Sequence, residues 1–321
     1  MTSQKVSWRG VSVEITVPDR LVGRLWRGGG RGAATDGLGR LVFRHPPPAL
    51  NVVRRDPSRG LDFFGTSRAN DRRSVEEAEL PTSDDLADRV QSTTWYHTIE
   101  LPGGITTPGQ FDHRSLVPRY GIPTDLSGKR ALDVATFNGF WAFELERRGA
   151  DVTAIDLDDP HGYDYPAAVR KIADSFPEMG PINEGFHIAH AALNSSVKRL
   201  NCSVYDLDPE TVGTFDFVHC GDLLVHLRDP LRALERMRSV TTGQLLLCDG
   251  IDVHASAGQW GPTTQYLGGW EDVIWWIPSL DALAQMVIDA GFRDVRVNCV
   301  YDLAKRYETS GIWRASLTAT V

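Results

Sequence analysis

The stretch "LDVATFNGFWAF", residues 132–143, frames the reading of the whole chain. An apolar run reaches Asp133, a short turn follows, and the residues after Gly139 look helical. In open α/β sheets ligands sit beyond the carboxyl ends of the strands, and a strand–turn–helix unit of this kind is where they are held. Ala135 and Phe137 occupy two slots at which such turns usually carry glycine.

Downstream of Gly128 the pattern is regular. Strand-like runs at 130–134, 152–156, 201–205, 215–220 and 244–249 alternate with helical runs at 139–148, 166–176, 184–197 and 229–239. Such alternation implies parallel strands with helices on both faces. "SLDALAQMVIDAGF" then has apolar residues at helical spacing and stops at Gly291, a natural residue for a helix end. Two further strand-like runs, "DVRVNCVYDL" and "ASLTAT", close the chain and are expected to give the sheet an antiparallel edge. Upstream, "VSVEITV" alternates as a strand does, whereas "RGGGRGAATDG" and "RHPPPAL" are turn or loop material. "SVEEAELPTSDDLADRVQS" reads as a helix in two pieces broken at Pro81. The expected division is an accessory segment over 1–80, a helical and loop lead-in over 81–127 that contributes to the substrate pocket, and an α/β domain over 128–321.

Composition sets limits. The net charge of −8 is unevenly spread: residues 1–73 carry 14 Lys+Arg against 6 Asp+Glu, and the remainder 20 against 36. A basic segment ahead of an acidic body allows a nucleic-acid partner, although docking on the body or plain solvation explains it as well. The four cysteines show no CxxC spacing and three lie in apolar runs, as free core thiols do. No apolar run is long enough to span a membrane, and "MTSQKVSWRG" lacks the apolar stretch of a signal peptide. A cytoplasmic location without membrane attachment is the expectation.

The turn itself restricts the ligand. In a dinucleotide site the second glycine lets the pyrophosphate approach the backbone, and Phe137 at that slot crowds a diphosphate. The Lys-Ser/Thr pair of a phosphate-binding loop is missing. S-adenosylmethionine has an amino-acid end, a ribose and an adenine, and no phosphate. Asp156, about twenty residues after the turn, is placed to take ribose hydroxyls. Asp206, in "SVYDLD", is placed to accept from the adenine amino group. Taken singly, acids at strand ends are often solvated or cap helices. Three of them, at Asp133, Asp156 and Asp206, form a more specific pattern.

On these residues the sequence resembles the class I S-adenosylmethionine-dependent methyltransferases over about 128–321. "ALDVATFNGF" stands for the family's first motif, usually Asp-x-Gly-x-Gly-x-Gly, of which only Gly139 holds the pattern. "FDFVHCGDLLVHLRDP" looks like the fourth motif, and "WWIPSLDALAQMVIDAGF" like the late helix before the last two strands. The resemblance implies a Rossmann-like seven-stranded sheet with an antiparallel last strand. It also implies a cofactor site at Asp133, Ala135, Thr136, Asn138, Gly139, Asp156, Leu157, Tyr205, Asp206 and Gly221. A narrower resemblance covers residues 95–134, which look like the lead-in of the tRNA wobble-uridine carboxymethyltransferase family and its relatives. That family has a Trp followed two residues later by a Lys that helps hold a carboxylated cofactor. His97 stands in that slot here, which favours plain methyl transfer.

Methyl transfer needs an aligned acceptor, a dry site and a route for the acceptor proton. The base candidates, in order, are His226, His113, His97 and His254, with Asp222 beside His226. A lone histidine is more often a hydrogen-bonded structural group. Trp95, Tyr96, His254, Tyr266, Trp275 and Trp276 are candidates for the substrate wall, together with Trp260 and Trp270 in the same insertion; the alternative for these aromatics is core that covers the sheet. Asp222, Asp249 and His254 could approach one another around a metal, but no ligand spacing demands one, and none is expected. The expected activity is methyl transfer to an oxygen or nitrogen of a small molecule. The rivals are a tRNA-modifying methyl- or carboxymethyltransferase anchored by 1–73 and a non-catalytic cofactor-binding protein. A nicotinamide oxidoreductase is disfavoured by Phe137.

Overall fold

The computed structural model describes residues 2–8, 11–17, 33–35, 41–43, 83–173, 183–258, 261–269, 273–306 and 311–321. Strands β1 (Thr2–Trp8) and β2 (Val11–Val17) pair antiparallel, as do β3 (Ala33–Thr35) and β4 (Leu41–Phe43). "AAT" of the expected loop is therefore a short strand. Helix α1 (Ser83–Ser92) is the second piece of the two-part helix; the first piece, Pro81 and "RHPPPAL" lie outside the described residues.

The body is one seven-stranded sheet: β5 (Arg130–Val134), β6 (Asp151–Asp156), β7 (Lys198–Asn201), β8 (Phe215–Gly221), β9 (Thr241–Gly250), β12 (Arg293–Leu303) and β13 (Ile312–Thr320). Its order is β12-β13-β9-β8-β5-β6-β7, with β13 antiparallel to both neighbours and the pairs between β9 and β7 parallel. The Rossmann-like sheet expected from the sequence is present. The reversed strand lies one place in from the edge, because β12 runs with the parallel set and closes the edge.

Helices α2 (Phe140–Arg147), α3 (Ala167–Ala173), α4 (Glu184–Ala192), α5 (Pro230–Val240) and α6 (Leu280–Asp289) join the strands. Gly291 has a φ of 94° just beyond α6, the left-handed stop that the sequence predicts. Two boundaries differ from expectation. Helix α4 ends at Ala192 rather than 197, and the third strand is Lys198–Asn201 rather than 201–205. Residues 204–206 form a single 3₁₀ turn instead, because the Ser203 hydroxyl accepts from the Tyr205 N–H and caps it.

Alternation along the strands feeds two cores. Leu132, Val134, Leu245 and Leu247 face α5 and α6, while Ala131, Leu246 and Cys248 face α2, α4 and the lead-in segment. Strand β12 changes face part-way. Val295 and Val297 join the α5/α6 core, yet Cys299, Tyr301 and Leu303 join the other. A register shift between Val297 and Cys299 leaves Asn298 as the extra residue, and such a bulge reverses which side chains point where. The Asn298 amide then donates to the Tyr120 carbonyl at 2.9 Å and the Ser316 hydroxyl donates to the same oxygen at 2.6 Å. Those bonds pin the lead-in segment across the sheet.

Candidate active site

The chain leaves β5 towards β6 and β7, then crosses back to β8 on the other side of β5, so the sheet's topological switch point lies between β5 and β8. A cavity with about 1190 Å³ of open space, including its mouth, lies there. Its walls come from the turns after β5, β6, β7 and β8, the lead-in segment, Cys248 on β9 and Tyr301 on β12.

The first turn keeps the backbone of a glycine-rich loop without the glycines. Ala135 has a φ of 59°, Phe137 of 46° and Gly139 of 89°. A left-handed non-glycine costs roughly 1–2 kcal/mol, so the turn holds strain at a ligand site. Part of the compensation is visible: the Phe137 N–H donates to the Asp156 carboxylate at 2.7 Å, and the Thr136 N–H to the Ile155 carbonyl at 3.1 Å. Gly139 is retained for packing as well as conformation, because a Cβ there would lie 2.5 Å from the Phe143 ring and 2.8 Å from Phe186.

The expected cofactor residues divide into two groups. Ala135, Asp156, Leu157, Tyr205 and Gly221 line the cavity. Asp133, Thr136, Asn138, Gly139 and Asp206 do not. Asp133 points to the opposite face of β5, where its carboxylate meets the buried His219 Nδ1 at 2.7 Å beneath the Trp141 indole. Thr136 is buried under the turn. Asn138 accepts from the Tyr96 N–H at 2.7 Å and so ties the lead-in segment to the turn. Asp206 is exposed at the end of the 3₁₀ turn that replaces the expected strand. Asp156 also accepts from the Leu157 N–H at 2.8 Å; burial raises its carboxyl to about 6 against the pull of the two backbone donors.

Asp164 closes the far end. Its carboxylate accepts from the Tyr205 hydroxyl at 2.7 Å and the Arg228 N–H at 2.9 Å, and its carbonyl accepts from the Trp275 indole N–H at 2.6 Å. One residue thus fastens the loops after β6, β7 and β8.

The other half is built by the lead-in segment. Residues 95–98 and 107–111 pair through Gln110 N–H to Trp95 O, Phe111 N–H to Tyr96 O and Thr98 N–H to Phe111 O. Gly109 permits this approach; a Cβ there would lie 2.1 Å from the His97 backbone. The pairing sets Tyr96, His97 and His113 into the cavity wall. The Tyr96 hydroxyl donates to Asp222 at 3.1 Å, and Arg314 Nε donates to the other Asp222 oxygen at 2.6 Å. Burial, with Asp222 nearby, keeps the Tyr96 phenol protonated well above its ordinary range. His113 Nδ1 lies 2.9 Å from the Tyr120 hydroxyl. Burial first, then Arg314, pushes His113 down to about 3, and burial pushes His97 well below its usual range. Both imidazoles are neutral at pH 7.

His226 lines the cavity just after β8. Its Nδ1 lies 3.2 Å from the Val273 carbonyl, which can only accept, so Nδ1 carries the proton and Nε2 is the basic nitrogen. Val273 has a φ of 55°, a strained conformation for a β-branched residue. Asp249 accepts from the N–H groups of Leu223, Leu224 and Gly250, which shapes the turn carrying His226. Burial and the neighbouring Asp222 raise its carboxyl to about 7. Among the described residues no group of three His, Cys, Asp or Glu is placed to hold a metal.

The remaining aromatic candidates stand outside the cavity wall. Trp95 is buried with its indole N–H on the Val90 carbonyl, at the end of α1. Trp275 is buried beneath Arg228 and braces the 163–165 loop. Tyr266 is 61% exposed on the short hairpin of β10 (Thr264–Tyr266) and β11 (Trp276–Pro278), against Trp276 at 4.9 Å. His254 is exposed on a short helix, Val253–Ala257. Trp260 and Trp270 lie outside the described residues. Reading from the sequence missed Trp141, Tyr163, Tyr301, Cys202 and Ser203 as lining residues and Arg314 as the partner of Asp222. Only "HGYDY" after β6 carried a signal, as an aromatic and acidic loop at a strand's carboxyl end.

A family model described as a methyltransferase domain matches residues 112–297. The chain belongs to the methyltransferase-domain family. That membership bears out the class I fold and the S-adenosylmethionine-dependent enzyme family expected from the sequence. The ubiquinone biosynthesis O-methyltransferase of Marinobacter nauticus is 28% identical over 115 residues, 36% of this chain and 40% of that protein. The magnesium-protoporphyrin O-methyltransferase of Rhodobacter capsulatus is 30% identical over 109 residues, 34% of this chain and 38% of that protein. The matches therefore span about two-fifths of the length of these curated relatives. Among solved structures, the Burkholderia thailandensis 1,6-didemethyltoxoflavin-N1-methyltransferase with S-adenosylhomocysteine bound aligns with a TM-score of 0.40 at 16% identity, covering 65% of this chain and 78% of that one. No described helix is long and apolar enough to cross a membrane.

Proposed function

We propose that this chain transfers a methyl group from S-adenosylmethionine to an oxygen or nitrogen of a small-molecule acceptor. The observation that carries the reading is the two-part cavity, with Asp156 and the β7 loop on one side and His226, Tyr96 and Asp222 on the other. The donor set fits the cofactor. Among the described lining residues there are acids but no Lys or Arg, which suits a sulfonium and gives a diphosphate no partner. S-adenosylmethionine, when bound, supplies an electrophilic methyl group on sulfur. Asp156 would accept from the ribose hydroxyls, and the backbone at Leu157 and at 202–205 would flank the adenine. With the cofactor's methyl group presented to the acceptor, His226 Nε2 would take the acceptor proton. The aromatic walls keep the reacting atoms from water.

Two features of the site bear on the narrower likeness to tRNA wobble-uridine carboxymethyltransferases. His97, in the slot of that family's Lys, is a buried neutral imidazole and offers a carboxylate no positive charge. The buried Arg314 is already paired with Asp222. Both features favour the ordinary cofactor and a small acceptor over the RNA-modifying reading.

The test is single-turnover methyl transfer from labelled S-adenosylmethionine to a panel of phenols, alcohols and amines. His226→Ala is expected to lower the rate by roughly 10²-fold or more while S-adenosylhomocysteine binds as before. Full activity in that variant would remove His226 as the base. Binding of S-adenosylhomocysteine with no turnover of any acceptor would favour a non-catalytic cofactor-binding protein.

A further inference from the structure

We propose that Val273 is the positioning residue of the base: its left-handed backbone turns its carbonyl onto His226 Nδ1, confines the proton there and leaves Nε2 as the basic nitrogen. The inference rests on the reading above, in which His226 takes the acceptor proton. Among the described residues, the non-glycine residues with a positive φ are Ala135, Phe137, Asn194, Asp222, Val273 and Asp294. Asn and Asp tolerate that region, whereas other side chains are strained in it. Ala135, Phe137 and Val273 all line the cavity. Strain of this kind persists only where the surroundings over-determine it, and it gathers at sites of function. The first two belong to the cofactor turn. Val273 stands beside His226, and its φ of 55° is the least tolerated because its side chain is β-branched.

The surroundings hold it from three sides. The Trp275 N–H donates to the Val225 carbonyl at 2.7 Å, which lays 273–275 along the 224–226 turn. The other arm of the hairpin grips the same segment: the Leu267 N–H donates to the Trp275 carbonyl at 2.8 Å, and the Gly269 N–H to the Ile274 carbonyl at 2.9 Å. The Trp275 indole is fastened in turn to the Asp164 carbonyl. The Val273 side chain is buried with Tyr165 and Val169 in a small cluster apart from the two main cores. With its side chain and the next two residues fixed, the Val273 carbonyl has one direction to point, and His226 Nδ1 lies 3.2 Å away.

The chemistry follows from what a carbonyl can do. Its oxygen only accepts, so the contact requires a proton on Nδ1. When Nε2 takes a second proton, the imidazolium keeps the same bond as a charge-assisted one. The orienting group is neutral, so it steers the ring without adding charge to a wall that already carries Asp156, Asp164 and Asp222. A base turned away from the acceptor, or protonated on the wrong nitrogen, loses rate steeply.

The experiment reads the imidazole nitrogens by NMR in the full chain, with its histidines labelled with heavy nitrogen and its site saturated with S-adenosylhomocysteine. The His226 signals are assigned by their loss in His226→Ala. The neutral ring is expected to carry its proton on Nδ1. Val273→Gly, which adopts a positive φ freely, should keep that tautomer, and Val273→Pro, whose ring locks φ at a negative value, should lose it. Both variants lack the valine side chain, so the difference between them isolates the backbone. On the panel acceptor that turns over fastest, Val273→Pro should be at least tenfold slower than Val273→Gly in a single turnover, with S-adenosylhomocysteine affinity falling by less than threefold in both. A parent ring with its proton on Nε2, a Gly variant as slow as the Pro variant, or a folded Pro variant with the parent's tautomer and rate would overturn the inference. Should Val273→Pro fail to fold, the parent and Val273→Gly decide it, and absence of the Nδ1 proton in either would overturn it. The nitrogen signals need no acceptor. Absence of turnover would therefore bring down the methyl-transfer reading, while the tautomer still decides whether Val273 pins the ring.

Discussion

The two halves of the cavity are made of different materials. The cofactor half consists of strand ends: left-handed backbone at Ala135 and Phe137, the Asp156 carboxylate, and a capped turn at Ser203. The acceptor half consists of side chains carried in from elsewhere, namely Tyr96, His97 and His113 from the lead-in segment and Tyr301 from β12. The first half follows from the sheet's topology, so any chain with this fold places a ligand there. The second half depends on long-range contacts, such as Asn138 to Tyr96 and Asn298 to Tyr120, which hold the lead-in segment against the sheet.

The aromatic insertion between β9 and α6 separates the halves most sharply. Trp275 is buried, with its indole N–H on Asp164 and Arg228 over its ring, whereas Tyr266 is mostly exposed. Trp275→Ala is expected to cost about 3–5 kcal/mol of stability and to lower the melting temperature, because it removes the brace behind the Asp164 staple. Tyr266→Ala is expected to change stability by no more than about 0.5 kcal/mol and to leave turnover unchanged. Denaturant titration of both variants checks this; equal effects would mean that Trp275 is not part of the core.

A smaller effect belongs to the cofactor turn. Ala135→Gly removes a left-handed Cβ but adds unfolded-chain freedom, so its net effect should lie between none and a gain of about 1 kcal/mol. A clear loss of stability by the same titration would show that the Ala135 methyl contributes packing that outweighs its strain.

The same contrast explains what was legible in the sequence. The sheet, the reversed strand near the end and the stop at Gly291 were readable because period-2 and period-3.6 patterns are local. Asp156 was readable because its position at a strand end fixes its direction. Asp133, expected at the cofactor, stands off the cavity wall: side chains alternate along β5, and its carboxylate pairs with His219. Asp206 was read from a strand that ends four residues earlier, since Ser203 caps a turn there. Arg314 and Tyr301 left no local trace. Tyr301 reaches the cavity only because the bulge at Asn298 reverses the faces of β12.

The central claim is that the crevice at the β5–β8 switch point holds S-adenosylmethionine through Asp156. Calorimetric titration with S-adenosylhomocysteine, repeated from pH 5 to pH 8, tests it most directly. The ribose hydroxyls donate to the carboxylate, so binding requires the ionised form of a group held at about 6. Affinity is therefore expected to rise by about tenfold between pH 5 and pH 7 and then level off. Asp156→Ala should bind at least tenfold more weakly at pH 7.5 and lack that rise, on the order of one lost charge-assisted hydrogen-bond pair. Equal affinity in parent and variant across the pH range, or binding of NADH in place of S-adenosylhomocysteine, would contradict the account.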